Sequence, residues 1–225
     1  MTAAFLFGLI ALAAVLANLA IRDHRRALAS RRALLDPCRG VLGNECWSAG
    51  GDGFPTLDGA RAGRAVTVAL IPDTMVMRRL PQLWLSVTLK DRAPGAPSLS
   101  ILARHRGNEF YAVTMDLPLR LEPPAGLPAD IVVRGDGAAA QALCVDLVPV
   151  LARLLADVKV KEITLTSNGV RITRQAAEGR RGEHLLLRQA VFDEAQVSPA
   201  ELDQMLQDLD ALAAMRTRSQ KAHAA

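Results

Sequence analysis

Residues 3–21 contain no charged side chain and consist of Phe, Leu, Ile, Val and Ala, interrupted only by Gly8 and Asn18. As a helix, nineteen residues at ~1.5 Å each reach about 29 Å, close to the ~30 Å hydrocarbon thickness of a bilayer. A helix also satisfies its own backbone hydrogen bonds, which lipid cannot do. Arg22, Arg25, Arg26, Arg31 and Arg32 follow at once, and no charged side chain precedes residue 22. The positive-inside rule then predicts a single-pass protein of the inner (plasma) membrane. Its N-terminus is outside and everything after the arginines is cytoplasmic. Asn18 falls near the exit end, within reach of headgroups and water.

A cleaved secretory signal is the rival reading. Such a signal needs a cationic n-region, an apolar stretch of about 7–15 residues and a small-residue cleavage site. Here the apolar run is longer and the positive charge lies on its other side. Self-association through the run has weak support: four residues either side of Gly8 stand Ala4 and Leu12, so the small-residue packing motif is incomplete.

The arginines also localise the charge. Residues 22–32 hold five arginines and one aspartate, which accounts for the whole formal charge of +4. The other acidic and basic residues balance, so the composition gives no basic stripe of the kind nucleic acid requires. The collar is read as a membrane-surface element, with each Arg near anionic lipid contributing about 1 kcal/mol. The bilayer is therefore the first expected partner.

The remainder, about 190 residues, suffices for one compact domain or two small lobes. Half of the chain is hydrophobic, which argues against disorder except at the ends. Arginine outnumbers lysine 23 to 4, a bias typical of GC-rich bacterial genomes. Cys38, Cys46 and Cys144 show no CxxC spacing and no neighbouring His, so zinc is not indicated. In a reducing compartment they are free thiols; in an oxidising one, Cys38 and Cys46 are the natural pair.

The spacing predicts an α+β fold: a transmembrane helix over residues 1–21, a basic juxtamembrane helix over 22–35 and a Gly/Pro-rich linker over 36–53. Next come a β-rich lobe over 54–116, a Pro-rich bridge over 117–129, an α+β lobe over 130–217 and a disordered tail over 218–225. Within the first lobe, residues 54–61 and 65–71 read as a hairpin, and 82–90 (QLWLSVTLK) is the clearest strand. Residues 74–80 allow one helical turn. Residues 98–104 and 109–115 read as a further strand pair. In the second lobe, 130–134 is a short strand, and 137–156 has helical period broken at Pro149. Residues 159–166 and 170–174 flank Ser167-Asn168-Gly169, the strongest hairpin signal, with a positive φ expected at Asn-Gly. Residues 184–192 are a strand candidate, with a helix as the runner-up. Ser198-Pro199-Ala200-Glu201 reads as a capping box opening a helix striped with Leu202, Met205, Leu206, Leu209 and Leu212. Mainly antiparallel pairing follows from strands joined by short turns.

Walker A, GxGxxG, HExxH, EF-hand and GxSxG motifs are absent. No motif marks a family, and no catalytic residue, cofactor or metal is assigned. The Asp52-Gly53 and Asp58-Gly59 pairs lack calcium-loop spacing and read as turns. Cys144 reads as a small buried hydrophobe. Lys159, Lys161, Arg171 and Arg174 read as a basic edge around the hairpin that discourages strand-to-strand aggregation. The expectation is a non-enzymatic anchored protein whose cytoplasmic domain binds another protein. The alternative is an enzyme of unfamiliar type with a polar site near Arg78/Arg79 or Glu183/His184.

Overall fold

Alternation at period two builds one twisted antiparallel sheet. Its strands are β1 (Gly43–Ala49), β2 (Pro55–Arg61), β3 (Arg64–Asp73), β4 (Gln82–Lys90), β5 (Leu99–Ala103), β6 (Leu119–Leu121), β7 (Ile131–Gly135), β8 (Val160–Thr166) and β9 (Gly169–Glu178). The computed structural model describes residues 2–74, 80–107, 109–181, 190–192 and 196–224. Among these, the sheet order is β1-β2-β3-β4-β9-β8-β5-β7-β6. Helix α1 (Thr2–Arg32) precedes the sheet. Helices α2 (Ala138–Asp146), α3 (Val148–Leu155) and α4 (Pro199–Ala224) pack on one face.

Strand register makes that face apolar. Leu57, Val68, Val87, Ile172, Ile163, Ile101, Val133 and Leu121 are successive partners across eight strands. The helices bury Leu143, Leu151, Leu202, Leu206, Leu209 and Leu212 against this surface. One residue along, the register is polar: Asp58, Thr67, Thr88, Arg171, Thr164, Ser100, Arg134 and Arg120 face the other way. This alternation is the reason the sheet has a core side and a polar side.

Several expectations hold. The β2–β3 hairpin turns at Ala62 and Gly63, both at positive φ (48° and 77°), as a tight two-residue turn requires. β4 spans residues 82–90 as read. The helical stretch breaks at Leu147, ahead of Pro149, into α2 and α3 bent by 70°. Ser198 Oγ accepts the Glu201 N–H at 3.1 Å. Only half of the capping box forms, because the Glu201 carboxylate pairs with Arg174.

Others are corrected. The two-lobe division does not describe the sheet: β4 bonds to β9 and β5 to β8, so strands from both halves interleave. Residues 36–53 are not a linker. Leu34, Leu35, Cys38 and Leu42 enter the core, and residues 43–49 form the edge strand β1. Its side chains are mostly exposed, so no alternation betrays it. Residues 109–115 are not a strand: they cross the polar face as a turn and a short 3-10 helix, Thr114–Asp116. The Pro-rich stretch 117–129 contributes the short edge strand β6. The tail is helical to Ala224, and Arg216, on the buried stripe of α4, is wholly enclosed. The β8–β9 turn forms at Ser167-Asn168, yet neither Asn168 nor Gly169 has positive φ. Gly169 is required by close approach instead: a Cβ there would lie 2.3 Å from the Leu89 carbonyl oxygen. Residues 75–79, within the expected helical turn, and 184–189, the greater part of the last strand candidate, lie outside the described residues.

Candidate functional site

The first surface is α1 itself. Over residues 6–21 its apolar stretch has no buried residue, and Leu6, Phe7, Leu9, Ile10, Leu12, Val15, Leu16, Leu19 and Ile21 are all about half exposed or more. Arg22, Arg25, Arg26 and Arg32 are exposed, with Asp23 3.8 Å from Arg26. Arg31 departs from the others and fastens the helix to the domain. Its Nη1 donates to the Asp52 carbonyl at 2.9 Å, and its guanidinium lies 5.3 Å from the Phe54 ring centre. Leu28 packs on Gly53, where a Cβ would come within 2.8 Å of the leucine Cδ2. The Asp52 carboxylate accepts the Phe54 N–H, so this aspartate does turn chemistry. The helix thus runs unbroken from its apolar end to Arg32, and its last turns pack on the turn that leads into β2.

The polar sheet face holds two buried ionic centres that sequence reading did not find. Glu162 is fully enclosed. Its Oε1 accepts the Thr114 N–H (3.1 Å) and the Thr114 hydroxyl (2.7 Å), and its Oε2 accepts Arg171 Nη2 (2.7 Å). Ser100 Oγ sits 2.7 Å from Thr114 Oγ1 and 2.8 Å from Thr164 Oγ1, completing the network. The hairpin register carried a signal for the charged pair, since Thr164 opposes Arg171 and Glu162 is its diagonal neighbour.

The second centre joins Lys161 to Glu109. The ammonium donates to the Ala103 and Arg104 carbonyls and to Glu109 Oε1, at 2.9, 2.7 and 2.9 Å. Glu109 also accepts the Arg106 and Gly107 N–H groups and meets His105 Nδ1 at 3.1 Å. Burial alone would push this carboxyl up. The Lys161 ammonium, the Arg106 N–H and His105 outweigh burial and hold it down at about 2. This centre pins the crossing segment, residues 109–116, onto β8.

The basic edge expected at the hairpin is therefore corrected. Lys161 and Arg171 are engaged in buried pairs, and Arg174 binds Asp157 and Glu201. The strands carrying them sit mid-sheet, where no edge needs protection. Arg153 pairs with Asp208 in the same cleft between α3 and α4, whose volume is ≈ 480 Å³. Its arginines are occupied by its own carboxylates. Arg78, Arg79, Glu183 and His184 lie outside the described residues.

The crossing segment exposes Phe110 (58 %) and Met115 (48 %) over a depression of ≈ 560 Å³ that includes His105, Ala112 and Asp116. Behind it, Trp84 stacks 5.0 Å from Tyr111 in a small cluster of its own. Cys38 and Cys144 are buried. Burial, together with the Glu45 carboxylate, pushes the Cys38 thiol up to about 11, and burial pushes Cys144 to about 11. Cys46, on β1, is exposed, and all three are free. No group of three or more His, Cys, Asp or Glu suited to a metal occurs among the described residues.

No protein-family model matches the chain, and no curated protein matches it. Among solved structures, the chain is similar to the crystal structure of the mycobacterial trehalose monomycolate transport factor A, TtfA. The identity is 11 % and the TM-score 0.46, over 84 % of this chain and 94 % of that one.

Proposed function

We propose that this is a non-enzymatic, single-pass membrane protein, N-terminus outside, whose cytoplasmic α+β domain docks another protein near the bilayer. The observation that carries the reading is α1: residues 6–21 of its apolar half are not buried in the domain, while its basic half is fastened to it by Leu28 and Arg31. Water does not tolerate so long an apolar surface, whereas a bilayer solvates it. The arginine collar supplies the orientation. Because the helix enters the domain without a flexible linker, the domain is held close to the membrane surface.

The docking side is read from Phe110 and Met115. An aromatic ring and a methionine exposed together on a segment pinned by buried ion pairs make a rigid apolar ledge. Both residue types are enriched where proteins meet. A photo-crosslinking amino acid in place of Phe110, expressed in native membranes, tests this. The expected product is an adduct with a second protein that disappears when Met115 is changed to Glu. Recovery of the chain alone, or only of its own dimer, would contradict the reading.

A further inference from the structure

The polar face has a second depression, at the end of β4, β9 and β8 away from α1. Its volume is ≈ 500 Å³, within the range of small-molecule sites. Register places its donors on two adjacent rungs: Thr88 and Thr164 flank Arg171, and Lys90 and Thr166 flank Gly169. Gly169 adds no side chain, so the floor between Lys90 and Thr166 is bare backbone. Arg92 and Asn168 stand at the rim, and Val113 of the crossing segment forms an apolar wall. Among the described residues, no carboxylate lines the cleft. Lys90 and Arg92 are exposed and make no ion pair among the described residues, while Glu162 beneath offsets one charge, that of Arg171.

We infer that this cleft binds the phosphate group of a small phosphorylated molecule. Two uncompensated cations match a dianion. An arginine fork and a lysine point charge beside threonine hydroxyls are the donors that phosphate oxygens accept. The apolar wall seats the organic part of the ligand. A phosphate could also come from a lipid headgroup, but placement favours a soluble molecule. α1 meets the sheet where β2 begins, a rung that runs through Thr56, Ala69, Ser86 and Thr173. Lys90 lies four residues further along β4, roughly 13 Å from that rung. The inference needs only the cleft, so it stands or falls separately from the docking ledge.

The test uses the full-length protein in zwitterionic lipid nanodiscs, titrated with phenyl phosphate and pyrophosphate by calorimetry. Sulfate at matched ionic strength is the control. The expected result is saturable binding of the phosphates, weakened at least tenfold by Lys90→Gln with Arg92→Gln. Both residues are exposed, so the variant keeps its fold, checked by an unchanged melting temperature. Affinity should be the same in nanodiscs containing anionic lipid. Absence of saturable binding, equal binding by the variant, or sulfate binding as well as phosphate would overturn the inference. Loss of probe binding in anionic discs would assign the cleft to lipid headgroups and overturn the soluble-ligand assignment.

Discussion

Replacing Lys161 with Met will destabilise the domain by about 3–5 kcal/mol, the cost of leaving a buried carboxylate without its cation. Lys161 and Glu109 are among the most enclosed charged side chains described, at 4 % and 1 % exposure. The ammonium also caps the Ala103 and Arg104 carbonyls, so methionine leaves those acceptors unpaired as well. The pH dependence carries a sign. Glu109 is held at about 2, below its ordinary 4.5, so its contribution is complete above that ordinary value and is lost as pH falls through about 2. The gap between wild type and Lys161→Met should therefore be widest near neutrality and narrow in acid. Denaturant unfolding between pH 7 and pH 2 checks this. Adding Glu109→Gln to Lys161→Met should recover part of the loss, because the buried charge is gone while the amide oxygen still accepts one of the two N–H groups, of Arg106 and Gly107, that the two carboxylate oxygens share. A single variant as stable as wild type would show that the pair is not a fastening of the crossing segment.

Deleting residues 2–21 should move the chain wholly from the membrane pellet to the aqueous fraction while leaving the domain's cooperative unfolding in place. The two halves of that expectation rest on different contacts. Residues 6–21 bury nothing in the domain, so their loss removes no packing. Leu28 and Arg31, which do pack, are retained. Sedimentation after alkaline extraction, alongside thermal unfolding, reads both. A truncated chain that still pellets would point to attachment elsewhere. One that fails to fold would show that the apolar stretch is part of the domain.

What could be read in the amino-acid order was whatever physics acts locally. The apolar run, the Ala62-Gly63 turn, the alternation of β4, the Pro149 break and the Ser198 cap all depend on a few neighbouring residues. What could not be read arises from distant pairing. β4 beside β9 and β5 beside β8 are contacts across long chain separations, and sequential neighbours were the natural first guess. β1 hid because a mostly exposed edge strand of largely polar residues has no period to detect. Glu109 looked like the start of a strand because its partner lies 52 residues away. Arg216 went unmarked next to the expected tail, although it continues the Leu202, Leu209, Leu212 stripe. It is buried because the Asp91 carboxylate and the Asp91, Thr166 and Gly169 carbonyls accept hydrogen bonds from its guanidinium.

The orientation of the anchor is the central claim, and the chain carries its own probe for it. Cys46 is exposed on β1 while Cys38 and Cys144 are buried with thiols raised to about 11, so one cysteine reacts in the folded protein. A membrane-impermeant maleimide applied to intact cells should leave the protein unlabelled, and permeabilisation should give one label, lost in Cys46→Ser. Labelling of Cys46 in intact cells would place the domain outside and contradict the account.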